Sequence, residues 1–158
     1  ANVKMYADKF GCEFHEGKKP YEVKADVYIP CATQNEVGME EAKLIAESGA
    51  KYYFEVSNMS STPEAMAYLR ENGLVIGPAK AVNAGGVAVS ALEMAQNSAR
   101  YSWSAEEVNA KLKNIMTSIV NNSVEAAQEY GLGFNLIDGA NIAAFKKIVD
   151  AMLAQGIM

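Results

Sequence analysis

The run Gly77-Pro78-Ala79-Lys80-Ala81-Val82-Asn83-Ala84-Gly85-Gly86-Val87-Ala88-Val89-Ser90 gathers the residues of this chain best suited to holding a ligand. A short apolar strand, Leu74-Val75-Ile76, leads into a loop, then a glycine pair, then a helix expected to run to about Asn97. Glycines at the mouth of a helix leave backbone N–H groups bare, and those groups with the helix dipole favour an anionic or carbonyl ligand. Asn83 adds a neutral donor and acceptor just ahead of the turn. Ser90 lies four residues past Gly86, one turn into the helix, where its hydroxyl can face the same opening. Set against that reading, asparagine is also a turn-former, and a serine at this depth often bonds its own backbone.

Other reactive side chains are sparse. His15 stands alone in a polar stretch with no partner at ligand spacing, and we assign it no role. Cys12 and Cys31 have no metal-ligand spacing and read as reduced thiols, Cys31 as a small buried one rather than a nucleophile. No metal site is expected. Lys80 shares the candidate loop and is read as a solvated surface lysine.

The elements that must position these groups follow a regular rhythm. Residues 1–10 read as the end of a helix stopped by Gly11, and residues 11–24 as a polar connection with room for a short strand. Strands are expected at 25–30, 52–56 and 74–76. Helices are expected at Met39–Ser48 and from Thr62-Pro63, an N-cap with proline at the first helical position, to Glu71. Such βαβ spacing requires parallel strands with right-handed crossovers. Their carboxyl ends then share one edge of the sheet, where open α/β folds hold ligands. The loops there, residues 30–35, 57–61 and 80–86, carry amides and hydroxyls and almost no charge, which suits hydrogen bonding to a ribose, a carboxamide or a peptide-like group.

Beyond residue 100 the pattern is helical. Ser104 and Glu107 make a capping box. The helix they open carries an apolar stripe, Val108, Leu112, Ile115, Met116, Ile119 and Val120, expected to be buried, with Asn121-Asn122-Ser123 as a point where it could break. Gly131-Leu132-Gly133 stops it. A last helix from about Gly139 to Ala154 presents Ile142, Phe145, Ile148, Val149, Met152 and Leu153 as core or interface. The fold expected is α/β, a partial doubly wound, Rossmann-like parallel sheet with C-terminal helices. Residues 1–100 form the half-sheet of three βα units, and 101–158 a helical segment packed on it.

Composition bounds the function. The chain has 158 residues, half of them hydrophobic and 21% charged, with net charge −5. That suits one folded unit and argues against a nucleic-acid surface. No apolar run approaches the ~18–20 residues of a membrane span, and no secretory signal is read at the start. The G-x-G-x-x-G fingerprint of a dinucleotide domain is missing, so the half that would grip a pyrophosphate is not in this sequence.

Five blocks then resemble a family: Pro30 to Glu36, Glu55 to Met59, Gly77 to Ser98, Ser102 to Val108 and Gly139 to Ile142. In order and spacing they are similar to the C-terminal part of the bacterial hexameric NAD(P)-dependent glutamate dehydrogenases. The resemblance implies reversible oxidative deamination of L-glutamate to 2-oxoglutarate and ammonia, with NADP or NAD as cofactor, in a cytoplasmic homohexamer. It implies that Asn58 and Asn83 contact the nicotinamide ribose and carboxamide, and that Ala32, Thr33 and Gln34 line the cofactor. Val87 and Ser90 would touch the amino acid, the Ser90 hydroxyl on its side-chain carboxylate. It also implies that the catalytic lysine and aspartate and the glycine fingerprint belong to a portion absent here. The isolated segment is therefore expected to be inactive, with no catalytic residue of its own. Ser60 stands where the family commonly has proline, which would loosen the loop after Asn58. Two other readings remain open: a segment of a leucine- or phenylalanine-type dehydrogenase, and a non-catalytic nucleotide-binding α/β module. The polar Ser90 favours the glutamate type, since an apolar substrate side chain needs no hydroxyl.

Overall fold

The computed structural model describes residues 3–156. Ala1 and Asn2 of the expected first helix, and residues 157–158 of the C-terminal segment, lie outside the described residues. Helix α1 (Val3–Phe10) ends at Gly11, whose φ of 68° is left-handed. No strand forms in residues 11–24; a single 3₁₀ turn at Pro20–Glu22 instead buries Tyr21.

Three strands follow in the expected rhythm: β1 (Val27–Tyr28), β2 (Tyr52–Phe54) and β3 (Val75–Gly77), separated by α2 (Met39–Glu47) and α3 (Pro63–Glu71). They form one parallel sheet in the order β1-β2-β3, with Val27 opposite Tyr52 and Tyr53 opposite Ile76. Two crossovers of the same hand place α2 and α3 on one face, where they pack together. The core lies between that layer and the sheet: Val37, Ala42, Ile45, Tyr53, Ala65 and Leu69 are fully buried. Here sequence logic holds well. Thr62 accepts the Ala65 N–H at 3.3 Å and Pro63 opens α3, while the Glu41 carboxylate accepts the Gly38 N–H at 2.9 Å to start α2. Lys19 hydrogen-bonds Glu41 and holds its carboxyl below the ordinary carboxylate range.

Strands β1 and β2 end earlier than expected because proline intervenes. Pro30 has no N–H for a ladder, and its carbonyl accepts from Val56 and Ser57 at 3.1 and 3.0 Å, so the tips of β1 and β2 bend together. β3 begins one residue late because the Leu74 N–H is already committed to Leu69 O at the end of α3.

The helical part departs further from expectation. Residues 80–86, expected as a loop, are largely helical: α4 (Ala79–Val82) and α5 (Ala84–Ala99) meet at Asn83, with Gly85 and Gly86 inside the first turn of α5. Alanine at 79, 81 and 84 favours helix strongly enough to outweigh the two glycines. Helix α6 (Ala105–Glu129) runs unbroken through Asn121-Asn122-Ser123, the Ser123 hydroxyl donating to Ile119 O at 2.8 Å. Helix α7 (Leu136–Gln155) starts three residues before the expected Gly139, capped by Asn135, which accepts the Asp138 N–H at 3.2 Å.

The expected apolar stripe of α6 is not buried. Val108, Leu112, Ile115, Met116 and Ile119 are half-exposed and Val120 is open; the buried residues of α6 are Ser123, Ala126 and Ala127. They form the seat where α7 crosses closely at Gly139: a Cβ there would stand 2.0 Å from Ser123 O. Helix α7 likewise leaves Phe145, Ile148 and Leu153 exposed. The reason is geometric. Helices α5, α6 and α7 pack side by side and α7 rests on β3 at its start, and among the described residues no second layer covers their outer faces.

Candidate functional site at the strand tips

All three strand tips open on the same edge of the parallel sheet, and the loops leaving them are tied to one another. Asn58, four residues beyond β2, and Asn83, at the joint of α4 and α5, meet there: Asn83 Nδ2 donates to Asn58 Oδ1 at 2.7 Å. Asn83 occupies the N-cap of α5 yet makes no side-chain cap bond, so its amide serves the neighbouring loop rather than its own helix. The pair leaves the Asn58 NH₂ and the Asn83 carbonyl free to bond outward. Asn58 is exposed and Asn83 half-buried.

The loop after β1 carries Ala32, Thr33 and Gln34, all exposed. Its shape is held by Glu36, whose carboxylate accepts the Thr33 N–H at 3.1 Å and the Tyr21 hydroxyl at 2.7 Å. Burial, reinforced by that carboxylate, pushes the Tyr21 hydroxyl well above its ordinary pKa, which keeps it a donor. The Asn35 N–H donates to Met59 O at 2.9 Å, with left-handed φ at both residues, so this loop is stitched to the one bearing Asn58. Beneath Asn58, the buried Glu55 carboxylate accepts the Ser61 N–H at 3.0 Å, and the Tyr53 hydroxyl meets Ser61 Oγ at 2.6 Å. Burial raises the Tyr53 hydroxyl above its usual pKa as well.

Sequence reasoning placed Asn58, Asn83 and Ala32–Gln34 in one neighbourhood, and the contacts join them. Val87 and Ser90 lie further along helix α5, which Asn83 opens. Both are exposed, and Ser90 Oγ donates to Gly86 O at 3.2 Å, the intrahelical bond weighed above. Glu36 and Glu55 were missed as supports. Thr33-x-x-Glu36 has capping-box spacing, and an acidic residue ending the apolar strand Tyr52-Tyr53-Phe54 signals a buried partner. Lys80 is exposed, as read, and its ammonium also hydrogen-bonds Asn141, linking α4 to α7. Two assignments change. Cys31 is exposed rather than buried, at the turn that Pro30 makes beyond β1. Ser60 does not slacken its loop, since it is fully buried with its hydroxyl 2.6 Å from Ser57 Oγ. His15 lies 3.3 Å from Glu13, with both side chains open to solvent.

This order of strands and loops has close counterparts. The family profile described as Glutamate/Leucine/Phenylalanine/Valine dehydrogenase matches residues 1–156. The chain belongs to that family. Among its curated members, the NAD-specific glutamate dehydrogenase of Clostridium symbiosum is 56% identical over 156 residues, 98% of this chain and 35% of that protein. The NADP-specific glutamate dehydrogenase of Haemophilus influenzae is 47% identical over 160 residues, again 98% of this chain and 35% of that protein. A solved glutamate dehydrogenase superposes with a TM-score of 0.91 at 56% identity, over 98% of this chain and 35% of its own. The chain thus spans about a third of the length of the family members it matches. The resemblance read from the five sequence blocks and the α/β fold with a parallel sheet are both established.

Proposed function

We propose that this chain is the C-terminal third of an NAD(P)-dependent glutamate dehydrogenase, and that its strand tips seat the nicotinamide end of the dinucleotide. The observation that carries the reading is the Asn83–Asn58 bond at the tips of adjacent parallel strands. Its outward donors and acceptor complement a primary carboxamide, which offers one carbonyl and one NH₂. The residues fit the cofactor in charge as well, being neutral donors where no phosphate is to be held.

When bound, the nicotinamide supplies the hydride acceptor. The reaction takes L-glutamate, water and oxidised dinucleotide to 2-oxoglutarate, ammonium, reduced dinucleotide and a proton. This chain's part is to orient. Asn58 and Asn83 fix the carboxamide and ribose, and Ala32, Thr33 and Gln34 lie along the cofactor. Val87 packs against the substrate chain. Ser90 can turn from Gly86 O to the substrate's side-chain carboxylate, replacing a neutral hydrogen bond with a charge-assisted one. Proton transfer and the clamping of the other carboxylate fall to the portion of the protein outside this chain, so the segment alone turns nothing over. A cytoplasmic homohexamer is the assembly that the resemblance implies for the whole protein.

The test uses the longer protein that carries this segment, titrated with glutamate, leucine and phenylalanine in the presence of NAD or NADP. Turnover of glutamate well above that of the other two is expected. A clear preference for an apolar amino acid overturns the glutamate assignment in favour of the leucine- or phenylalanine-type reading. Absence of any dinucleotide-dependent turnover leaves the non-catalytic module.

A further inference from the structure

Ser57 stands between the two loops that carry the candidate cofactor contacts, one residue before Asn58. Its hydroxyl lies 3.3 Å from the Thr33 carbonyl oxygen and 2.6 Å from Ser60 Oγ. Thr33 O can only accept, so the arrangement that makes both contacts hydrogen bonds has Ser57 donating to Thr33 O and Ser60 donating to Ser57 Oγ, a relay from Ser60 to Ser57 to Thr33. Ser60 is fully buried, so the relay starts from a fixed point in the core and ends on the exposed 32–34 loop.

We propose that Ser57 is a positioning residue for dinucleotide binding, a clasp that sets the Thr33 loop against the Asn58 turn. This rests on the strand-tip seat proposed above. The backbone bond from Asn35 to Met59 O joins the loops next to Gln34 and Asn58. The Ser57 hydroxyl adds a tie at Thr33 itself. Backbone bonds from Val56 and Ser57 N–H to Pro30 O and from Asn35 N–H to Met59 O keep the two loops together; without the Ser57 hydroxyl the Thr33 peptide between those bonds loses its own tie, and a ligand touching Thr33 and Asn58 must order it on binding.

The surroundings make the substitution clean. In Ser57→Ala the Ser60 hydroxyl keeps a second acceptor, the Ser57 carbonyl oxygen at 3.1 Å, so no buried donor is orphaned. The fold is therefore expected to survive, with the clasp alone removed. Ser57→Thr retains the hydroxyl and serves as the rescue.

The experiment measures steady-state kinetics and thermal midpoint for the longer protein carrying this segment, as wild type, Ser57→Ala and Ser57→Thr. Loss of one neutral hydrogen bond predicts a rise of about fivefold in dinucleotide KM for Ser57→Ala. The kcat and the glutamate KM should stay near wild type, with the thermal midpoint little changed and dinucleotide KM restored in Ser57→Thr. An unchanged dinucleotide KM in Ser57→Ala overturns the clasp. So does a fall in kcat and thermal midpoint that Ser57→Thr fails to rescue, which marks Ser57 as merely structural. If the wild type binds no dinucleotide at all, it is the seat itself that fails, and the clasp with it.

Discussion

Asn83 shows how little of a residue's role its neighbours in sequence decide. Glycines behind it and a strand before it marked it as a ligand contact or a turn-former. It became the joint between two helices, with its side chain spent on Asn58, 25 residues earlier. Replacing it with alanine removes one outward acceptor and releases Asn58 from its partner. We expect Asn83→Ala to raise dinucleotide KM by roughly tenfold, two hydrogen-bonding roles at about 1 kcal/mol or less each, with little change in thermal stability because neither amide is buried. Kinetics beside a melting curve check this, and an unchanged KM would remove Asn83 from the seat. Ser90 illustrates the opposite limit. Its hydroxyl bonds Gly86 O, as helix physics alone dictates, and a role toward substrate requires it to be drawn away by charge.

At the scale of elements, the βα units and the two long C-terminal helices were legible, while the burial of those helices was not. Thr62-Pro63, Glu41 after Gly38, and the capping box at Ser104 with Glu107, whose bonds run 3.2 and 2.8 Å, are local signals that the chain obeys. Strand ends were misjudged because Pro30 acts across the sheet on Val56 and Ser57, a contact that spacing within one strand does not reveal. The start of α7 was misplaced because Gly139 looked like a helix boundary. Its glycine is needed for the crossing with α6, not for a turn. Gly139→Ala would set a Cβ against the backbone of Ser123, which cannot yield as a side chain could, and should cost about 3 kcal/mol as the helices part. Gly86→Ala is the contrast: its Cβ would meet nothing within 4 Å, and a helical position gains up to about 1 kcal/mol from the change. Thermal unfolding of the two variants should move in opposite directions; a Gly139→Ala protein as stable as wild type refutes the close crossing.

For the whole molecule, the weight of exposed apolar surface is the governing fact. Helix α5 has no buried residue, and Met94, Phe145, Ile148 and Leu153 are each more than half exposed. On the far side, an open groove of about 870 Å³ along β1 is lined by Tyr21, Val23, Val27 and Ile29, at the edge of a sheet with unpaired backbone groups. Large apolar side chains left open to solvent favour association, and a free strand edge invites pairing with another chain. We expect the 158-residue chain on its own to self-associate with rising concentration, read by light scattering and size-exclusion chromatography. A monodisperse monomer across the range would show the outer faces to be tolerable as they stand.

Local chemistry in the sequence was enough to settle the parallel βα rhythm, the starts of α2, α3 and α6, and the nearness of the loops that carry Thr33, Asn58 and Asn83. All of these depend on propensities, caps and spacings that act over a few residues. Only tertiary structure decided which amides touch, which carboxylates lie beneath them, and where strands yield to a proline on the next strand. Burial, too, was settled there: an apolar stripe states what a helix could cover, whereas what lies opposite it is a property of the folded chain as a whole.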